Sequence, residues 1–209
     1  MTTIEETKWQ EPAENEEGTY KKLNEFLSEK GCFYGISHHK PVLTCEEAAE
    51  IRGATLASGA KAMLLKDTGK KLTQEGVEYY LAVSSAANKF SSKQFKKVIN
   101  CKSFRFATPE ECWEKTGCLT GAVPPFGKMF GVPVWVDRSL GKNEQINFCC
   151  GLRTASLSMK YKDFITAEEP SFHVFTDEEI ELGDLPAEVK EEKKVDSREA
   201  IKAERLAQR

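Results

Sequence analysis

The sequence lacks a long uninterrupted apolar run. Hydrophobic residues make up 40% of its 209 residues. No stretch approaches the roughly 20 consecutive apolar residues that cross a bilayer, which excludes a membrane-spanning helix. The first six residues carry two glutamates and no basic side chain, whereas a secretory or mitochondrial leader is basic. We therefore expect a cytoplasmic protein with no membrane partner.

The chain also lacks a C-x-x-C pair, and its seven cysteines are an odd number. A zinc ribbon needs a C-x-x-C pair, and a secreted disulfide framework needs an even number of cysteines. The adjacent residues Cys149 and Cys150 would face opposite sides of a strand, so they could not bind one metal ion together. We predict reduced thiols that take no part in chemistry, and no metal site.

Catalytic signatures that can be recognised from local sequence are missing as well. There is no Ser-His-Asp signature, no phosphate-binding P-loop, no dinucleotide-binding glycine pattern and no HExxH motif. Only three histidines are present, at positions 38, 39 and 173, and nothing marks them for acid–base chemistry. Composition and local motifs therefore name no reaction.

Charge is present, but it is unevenly spread along the chain. The net charge is −3, yet residues 1–17 carry six acidic side chains and one basic one. Residues 177–209 carry eleven acidic and seven basic side chains, so the body between the two ends has 22 basic against 16 acidic. A basic body with two acidic ends is therefore expected.

The basic character of the body is concentrated in one acid-free span. No Asp or Glu occurs between Glu78 and Glu110, and phenylalanines alternate with the basic residues of this span. Such a stretch can neutralise phosphates and is a candidate nucleic-acid surface. The alternative is a solvated helix face whose apolar side packs in the core, and charge alone does not decide between them. The basic residues are Lys89, Lys93, Lys96, Lys97, Lys102 and Arg105.

Hydrophobic periodicity and end signals predict alternating short helices and strands. Helices are expected over residues 20–30, 44–53, 91–99 and 108–117. The second and fourth open on Thr44 and Thr108, each followed by the glutamate of a capping box. Strands are expected over residues 34–37, 60–66, 79–84, 104–107, 132–136, 146–150 and 155–159.

These elements predict a single mixed α/β domain over residues 20–175. An acidic extension, residues 1–19, precedes it. From residue 176 to residue 209 the chain is rich in charge and poor in apolar residues, which predicts a helical or disordered tail.

The most unusual local feature is the loop Gly121-Ala122-Val123-Pro124-Pro125-Phe126-Gly127. Two consecutive prolines remove two backbone donors and fix φ at both positions, so the loop is neither helix nor ordinary strand. A rigid, glycine-bearing turn can present free N–H groups to an oxyanion or carbonyl oxygen. The alternative is a tight structural connection.

Together with other motifs, this loop resembles a known family. Ile36-Ser37-His38-His39-Lys40-Pro41-Val42-Leu43-Thr44 comes first and Gly59-Ala60-Lys61-Ala62 follows. The loop is then succeeded by Val132-Pro133-Val134 and Ile146-Asn147-Phe148. Their order and spacing resemble the YbaK / prolyl-tRNA-synthetase-associated domain, a family of aminoacyl-tRNA deacylases, over roughly residues 20–170.

The resemblance implies an α+β fold with a curved, largely antiparallel mixed sheet, barrel-like at its core and flanked by helices. It implies trans-editing, the hydrolysis of the ester that joins a small, wrong amino acid to a tRNA. A positioned water and the substrate's own ribose hydroxyl would do the chemistry. No metal or organic cofactor is expected. The implied partner is tRNA. The terminal extensions lie outside the resemblance, and their length favours binding of a synthetase or multi-synthetase complex.

The resemblance also implies site residues. Lys61 matches the family's functional lysine, and Gly121 and Pro125 match its G-x-x-x-P loop, which makes these three the catalytic candidates. A surface lysine at a strand end is the alternative for Lys61, and a simple helix cap is the alternative for Thr44. The substrate-binding candidates are His39, Thr44, Ala122, Val123, Pro124, Phe126, Gly127, Asn147 and Gly151.

Two segments depart from the family's usual pattern, namely Asn88-Lys89-Phe90-Ser91 and Cys149-Cys150-Gly151. They leave open whether the amino acid is Ala, Ser, Thr or Cys. A second hypothesis from another class is a non-catalytic, tRNA-binding scaffold of a synthetase assembly. The intact Lys61 and intact loop favour the hydrolase, because an adaptor need not retain them.

Overall fold

The computed structural model of the chain describes residues 9–42, 44–69 and 76–177. Of the tail predicted over 176–209, residues 178–209 lie outside this range. No helix in the described segments has the length and apolar content to span a membrane. The α-helices are α1 (Lys21–Glu29), α2 (Cys45–Arg52), α3 (Ser92–Val98), α4 (Pro109–Thr116) and α5 (Tyr161–Glu168).

The described strands number eight and form two sheets. They are β1 (Tyr34–His38), β2 (Ala60–Asp67), β3 (Tyr79–Ser85), β4 (Phe104–Phe106), β5 (Val134–Asp137), β6 (Gln145–Cys149), β7 (Ala155–Lys160) and β8 (Ser171–His173). One sheet has the order β1-β7-β6 and is antiparallel throughout. The other has the order β4-β2-β3-β5-β8, in which β5 runs parallel to both of its neighbours. The expected α+β class with a largely antiparallel mixed sheet is confirmed.

The two sheets touch where the chain enters β2. Gly59 forms an isolated parallel bridge with Asn147 of β6. The Nδ2 of Asn147 donates to Ser58 Oγ at 3.0 Å and adds a side-chain bond to this contact. The start of β2 is therefore held against the end of β6.

Helix ends follow the signals in the sequence. The Thr44 and Thr108 side chains accept hydrogen bonds from the N–H groups of Glu47 and Glu111, and both capping boxes are complete. Such a cap stabilises a helix by about 1 kcal/mol. Gly53 and Gly117 end these helices with positive φ, as expected of C-terminal glycines. The predicted boundaries of α2 and α4 are confirmed.

Aromatic side chains organise two parts of the core. Phe126 is fully buried and meets Phe26, Phe148 and Phe164 edge-on at centroid distances of 5.3–5.7 Å. Phe90 and Phe95 pack in a second cluster behind α3. The apolar side of α3 is therefore buried, which leaves Lys93 and Lys97 exposed on its outer face.

The helix α5 and the strand β8 were not predicted from the sequence. The N-cap of α5 is Lys160, the last residue of β7, and it makes no side-chain capping bond. No Ser, Thr, Asp or Asn therefore marks the start of this helix. The strand predicted over 132–136 begins later, at Val134, because Val132 and Pro133 still belong to the connection.

Candidate functional site

A cavity of about 750 Å³ opens where the two sheets meet. Its walls come from α2 and the residue before it, from the start of β2, from residues 86–92, and from the end of β6. Thr120, Gly121 and Val123 close another side. The cavity therefore gathers stretches that are far apart in the sequence.

Lys61 is the second residue of β2, opposite Ser84 of β3, and it lines the cavity. Its side chain is exposed, and no carboxylate within the described segments forms an ion pair with it. Lys66 on the same strand differs, because its ammonium lies 2.9 Å from Glu78 and 2.8 Å from Glu111. Lys61 is thus a cation available to a ligand, whereas Lys66 is occupied.

The loop that carries Gly121 is anchored at its second residue. The Ala122 N–H donates to the Leu119 carbonyl at 2.9 Å, and the Ala122 carbonyl accepts from the Gly151 N–H at 2.9 Å. The N–H groups of Gly121 and Val123 have no acceptor among the described residues, and both residues line the cavity. Two backbone donors are therefore available to a carbonyl oxygen, an oxyanion or a water.

The rest of the loop lies outside the cavity lining. Pro124, Pro125, Phe126 and Gly127 are all buried. A Cβ on Gly127 would lie 2.2 Å from the Val132 carbonyl oxygen, so this position must be glycine for packing. The structure places Pro125 where it can fix the loop's path rather than contact a ligand directly.

Thr44 and His39 occupy different places. Thr44 lines the cavity, and its Oγ1 accepts from the Glu47 N–H at 3.2 Å as the cap of α2. His39 lies outside the cavity lining. Its Nε2 is 2.7 Å from Ser156 Oγ and its Nδ1 is 2.8 Å from the Lys40 carbonyl oxygen. These bonds tie His39 to the three-stranded sheet.

The two substrate-binding candidates near the end of β6, Asn147 and Gly151, differ in their position relative to the cavity. Asn147 lines the cavity. Gly151 does not, and its φ is +98°. A Cβ at Gly151 would lie 2.9 Å from the Tyr20 backbone nitrogen, so glycine there permits the close approach of the N-terminal region.

The adjacent cysteines face opposite sides, as the strand pattern predicts. Cys149 lines the cavity, whereas Cys150 is fully buried in the core. Burial raises the pKa of both thiols, in Cys150 to about 12. Neither thiol is a ready nucleophile at neutral pH, because the thiolate is the reactive form.

Arg52 and Cys45 of α2 line the cavity and were not predicted as site residues. The Arg52 Nη2 lies 4.0 Å from Cys149 Sγ. In the sequence Arg52 is a basic residue in the last turn of a helix, where favourable interaction with the helix dipole already accounts for it. Only the approach of α2 to β6 shows that it faces a cavity.

Residues 88–91, which depart from the family's usual pattern, reach the same cavity. Asn88, Lys89 and Phe90 are among its lining residues, and Lys89 is exposed. On α3, Lys93 and Lys97 are exposed one turn apart. Lys102 is exposed as well. Exposed lysines are thus found at the cavity, on α3 and at position 102.

Two other basic residues of this span have partners. The Lys96 ammonium lies 5.7 Å from the centroid of the Phe104 ring and is half-buried. The guanidinium of Arg105 donates to both carboxylate oxygens of Glu111, at 2.6 and 2.7 Å. This pairing is the main cause of the strongly lowered pKa of Glu111. Because Glu111 neutralises it in this way, Arg105 is less available to a phosphate than the exposed lysines.

No group of three or more His, Cys, Asp or Glu side chains within the described segments is arranged to hold a metal ion. The cavity instead offers the Lys61 ammonium, the Arg52 guanidinium, two free backbone N–H groups and the Asn147 amide. This donor-rich set suits an anionic or carbonyl-bearing ligand.

A family model for the aminoacyl-tRNA editing domain matches residues 39–167. The multifunctional Ser/Thr-tRNA deacylase ProXp-y of Escherichia coli strain K12 is 31% identical over 157 residues, which cover 73% of this chain and 89% of that protein. A proline–tRNA ligase from Aromatoleum aromaticum is 30% identical over 122 residues, covering 56% of this chain and 20% of the ligase.

Solved structures share the fold. A protein crystallised as a candidate trans-editing enzyme for prolyl tRNA synthetase superposes with a TM-score of 0.66 at 21% identity. The match covers 77% of this chain and 98% of that one. At this identity the likeness concerns the arrangement of helices and strands alone.

Proposed function

The chain belongs to the aminoacyl-tRNA editing domain family, and from that premise we propose that it is a trans-editing deacylase. Its reaction is hydrolysis of the ester between a small amino acid and the 3′ end of a mischarged tRNA. The observation that carries this proposal is the meeting of the unpaired Lys61 ammonium with the free N–H groups of Gly121 and Val123 around one cavity.

The chemistry follows from these groups. An aminoacyl ester is already activated, so holding a water and polarising the carbonyl is sufficient help. The N–H groups of Gly121 and Val123 are suited to the carbonyl oxygen as negative charge develops on it. Lys61 is suited to the terminal phosphate or the ester oxygen as a point charge. The substrate's ribose hydroxyl would assist the water, and no protein nucleophile is required.

The volume of the cavity supports a small amino acid, because the terminal nucleotide of the tRNA must enter the cavity as well. The terminal nucleotide and the aminoacyl group would share about 750 Å³. Because the E. coli relative is named a Ser/Thr-tRNA deacylase, Ser and Thr are the first amino acids to test, with Ala and Cys after them.

The tRNA body would lie over the exposed lysines beside the cavity. Lys93, Lys97 and Lys102 offer charge to phosphates, and Lys89 links them to the cavity. We propose that the protein acts in the cytoplasm, where aminoacyl-tRNA is made, in association with a synthetase.

The non-catalytic scaffold hypothesis has less support. It relied on terminal extensions that are free to bind a partner. The described part of the N-terminal extension instead contacts the domain, through Glu11 and Glu14. The tail beyond residue 177 lies outside the described residues.

The experiment that tests the function is incubation with a panel of mischarged tRNAs, followed by measurement of the remaining aminoacyl ester. Wild type should deacylate at least one of Ser-, Thr-, Ala- or Cys-tRNA. Lys61→Ala should abolish most of this activity without unfolding the protein. Lys66→Ala is the matched control, because it removes a lysine from the same strand that is bound to carboxylates. Wild-type rates in Lys61→Ala would refute the role of Lys61, and no release from any tRNA would favour the scaffold.

A further inference from the structure

Arg153 lies in the turn between β6 and β7 and reaches the loop that closes the cavity. Its guanidinium donates to the Thr120 carbonyl oxygen from Nε at 3.3 Å and from Nη2 at 3.0 Å. Thr120 and Gly121 both line the cavity. Arg153 itself does not, so its influence on a ligand would pass through the loop.

The hydrogen bonds from Arg153 to the Thr120 carbonyl oxygen also fix the direction of the next N–H group in the chain. The carbonyl of Thr120 and the N–H of Gly121 belong to one planar trans peptide unit, so the two groups point in opposite directions. Fixing the oxygen towards Arg153 therefore fixes the Gly121 N–H away from Arg153. This N–H is one of the two free donors at the cavity.

Arg153 is held in turn by the N-terminal segment, residues 9–15. The Glu11 carboxylate forms an ion pair with Arg153 Nη1. Glu14 Oε1 accepts from the Arg153 backbone N–H at 2.6 Å. Both glutamates precede residue 39, where the family match begins. A further bond joins the Val42 N–H to the Arg153 carbonyl oxygen at 3.1 Å and links this turn to another cavity wall.

We propose that Arg153 is a positioning residue for the editing reaction and that the N-terminal segment is a working part of the site. The two glutamates orient Arg153, and Arg153 orients the 120–121 peptide so that the Gly121 N–H meets the ester carbonyl. This inference rests on the proposed deacylase function. It gives the acidic N-terminus a role inside the domain, where the sequence suggested a contact with a partner.

The kinetic test uses full-length variants and a mischarged tRNA that wild type deacylates. Arg153→Met keeps the aliphatic stem and loses every donor, so kcat should fall about tenfold or more with KM changed less than about threefold. Arg153→Lys should recover part of kcat, because one ammonium can still donate to the Thr120 carbonyl. The double variant Glu11→Ala/Glu14→Ala should lower kcat in the same direction.

Glu17→Gln is the matched control. It breaks an exposed ion pair with Lys21 in the same N-terminal region and touches nothing in the loop, so kcat should not change. Wild-type kcat in Arg153→Met or in the double glutamate variant would overturn the inference. A fall in kcat that merely follows lost thermal stability, with no recovery in Arg153→Lys, would overturn it as well.

A second measurement needs no substrate, so it separates this inference from the proposed function. The Ala122 amide is protected by its bond to the Leu119 carbonyl. Its hydrogen exchange should become about tenfold faster in Arg153→Met and in the double glutamate variant, and stay unchanged in Glu17→Gln. Unchanged exchange in all three variants would refute the positioning role even if wild type deacylates tRNA. Faster exchange in a protein that deacylates nothing would leave Arg153 as the anchor of the loop and refute only the deacylase function.

Discussion

Substitution of Gly121 by alanine tests the backbone conformation at the proposed oxyanion site without disturbing side-chain packing. Gly121 has φ of +90°, and a Cβ built there meets no atom within 4 Å. The added methyl group therefore has room, and the cost comes from the backbone conformation alone. Holding an L-residue at positive φ costs about 1–2 kcal/mol.

The expected effects on stability and on activity differ in size. For a domain of this length about 1 kcal/mol lowers Tm by about 2–4 °C, so Gly121→Ala should lower Tm by about 2–8 °C. Relief of the strain would rotate the peptide and misdirect the Gly121 N–H. Loss of one oxyanion donor lowers kcat by about 10²–10³-fold. Single-turnover deacylation and thermal melting on the same preparations measure both quantities.

Two other glycines supply the controls. Gly131 has φ of +62° and an equally open Cβ position, and it lies outside the cavity lining, so Gly131→Ala should lose similar stability and keep its activity. Gly127→Ala should destabilise the whole domain, because its Cβ would overlap the Val132 carbonyl oxygen. Equal kcat values for Gly121→Ala and Gly131→Ala would refute the assignment of the Gly121 N–H.

Three further predictions concern thiols, tRNA contact and pH. Cys149→Ser and Cys150→Ala should each keep kcat within about threefold, because burial holds both thiols protonated; complete loss of activity in a folded variant would revive a thiol nucleophile. Lys93→Ala/Lys97→Ala should bind tRNA more weakly with a salt slope smaller by about 2, and should cleave a minimal aminoacyl ester at the wild-type rate; an unchanged slope would place the tRNA elsewhere. Burial raises the pKa of Glu168 from 4.5 to about 8, so its contribution to stability is full below about pH 4.5 and is lost as pH rises towards 8. Urea unfolding of Glu168→Gln should therefore depend less on pH than that of wild type across this window, and parallel profiles would contradict the prediction.

The fold could be predicted wherever local chemistry determines it. Thr44 and Thr108 mark helix starts because a hydroxyl and a glutamate three residues later satisfy N–H groups of the first turn. The helix α5 carries no such signal, since it follows β7 directly. Its position depends on packing, with Phe164 buried against Phe126. Tertiary contact of this kind leaves no local mark on the sequence.

The site was predictable only in part, for a related reason. Lys61, Gly121 and Asn147 match family motifs, and the fold brings all three to one cavity. Their roles remain predictions until variants are measured. Arg52 and Arg153 were not predicted as site residues, because the groups they approach lie far away in the chain. Cys149 and Arg52, for example, are 97 residues apart.

The loop over residues 121–127 is anchored at both ends by side chains that lie outside it. At one end Arg153 binds the Thr120 carbonyl, and at the other Glu168 Oε1 accepts from the Lys128 N–H at 3.1 Å. The two prolines limit the conformations that the loop can adopt. The two contacts then stabilise one of these conformations. Because both anchors come from the later part of the chain, a substitution at either end can move the free N–H groups without touching the motif. An intact G-x-x-x-P sequence therefore does not by itself ensure the geometry of the proposed site.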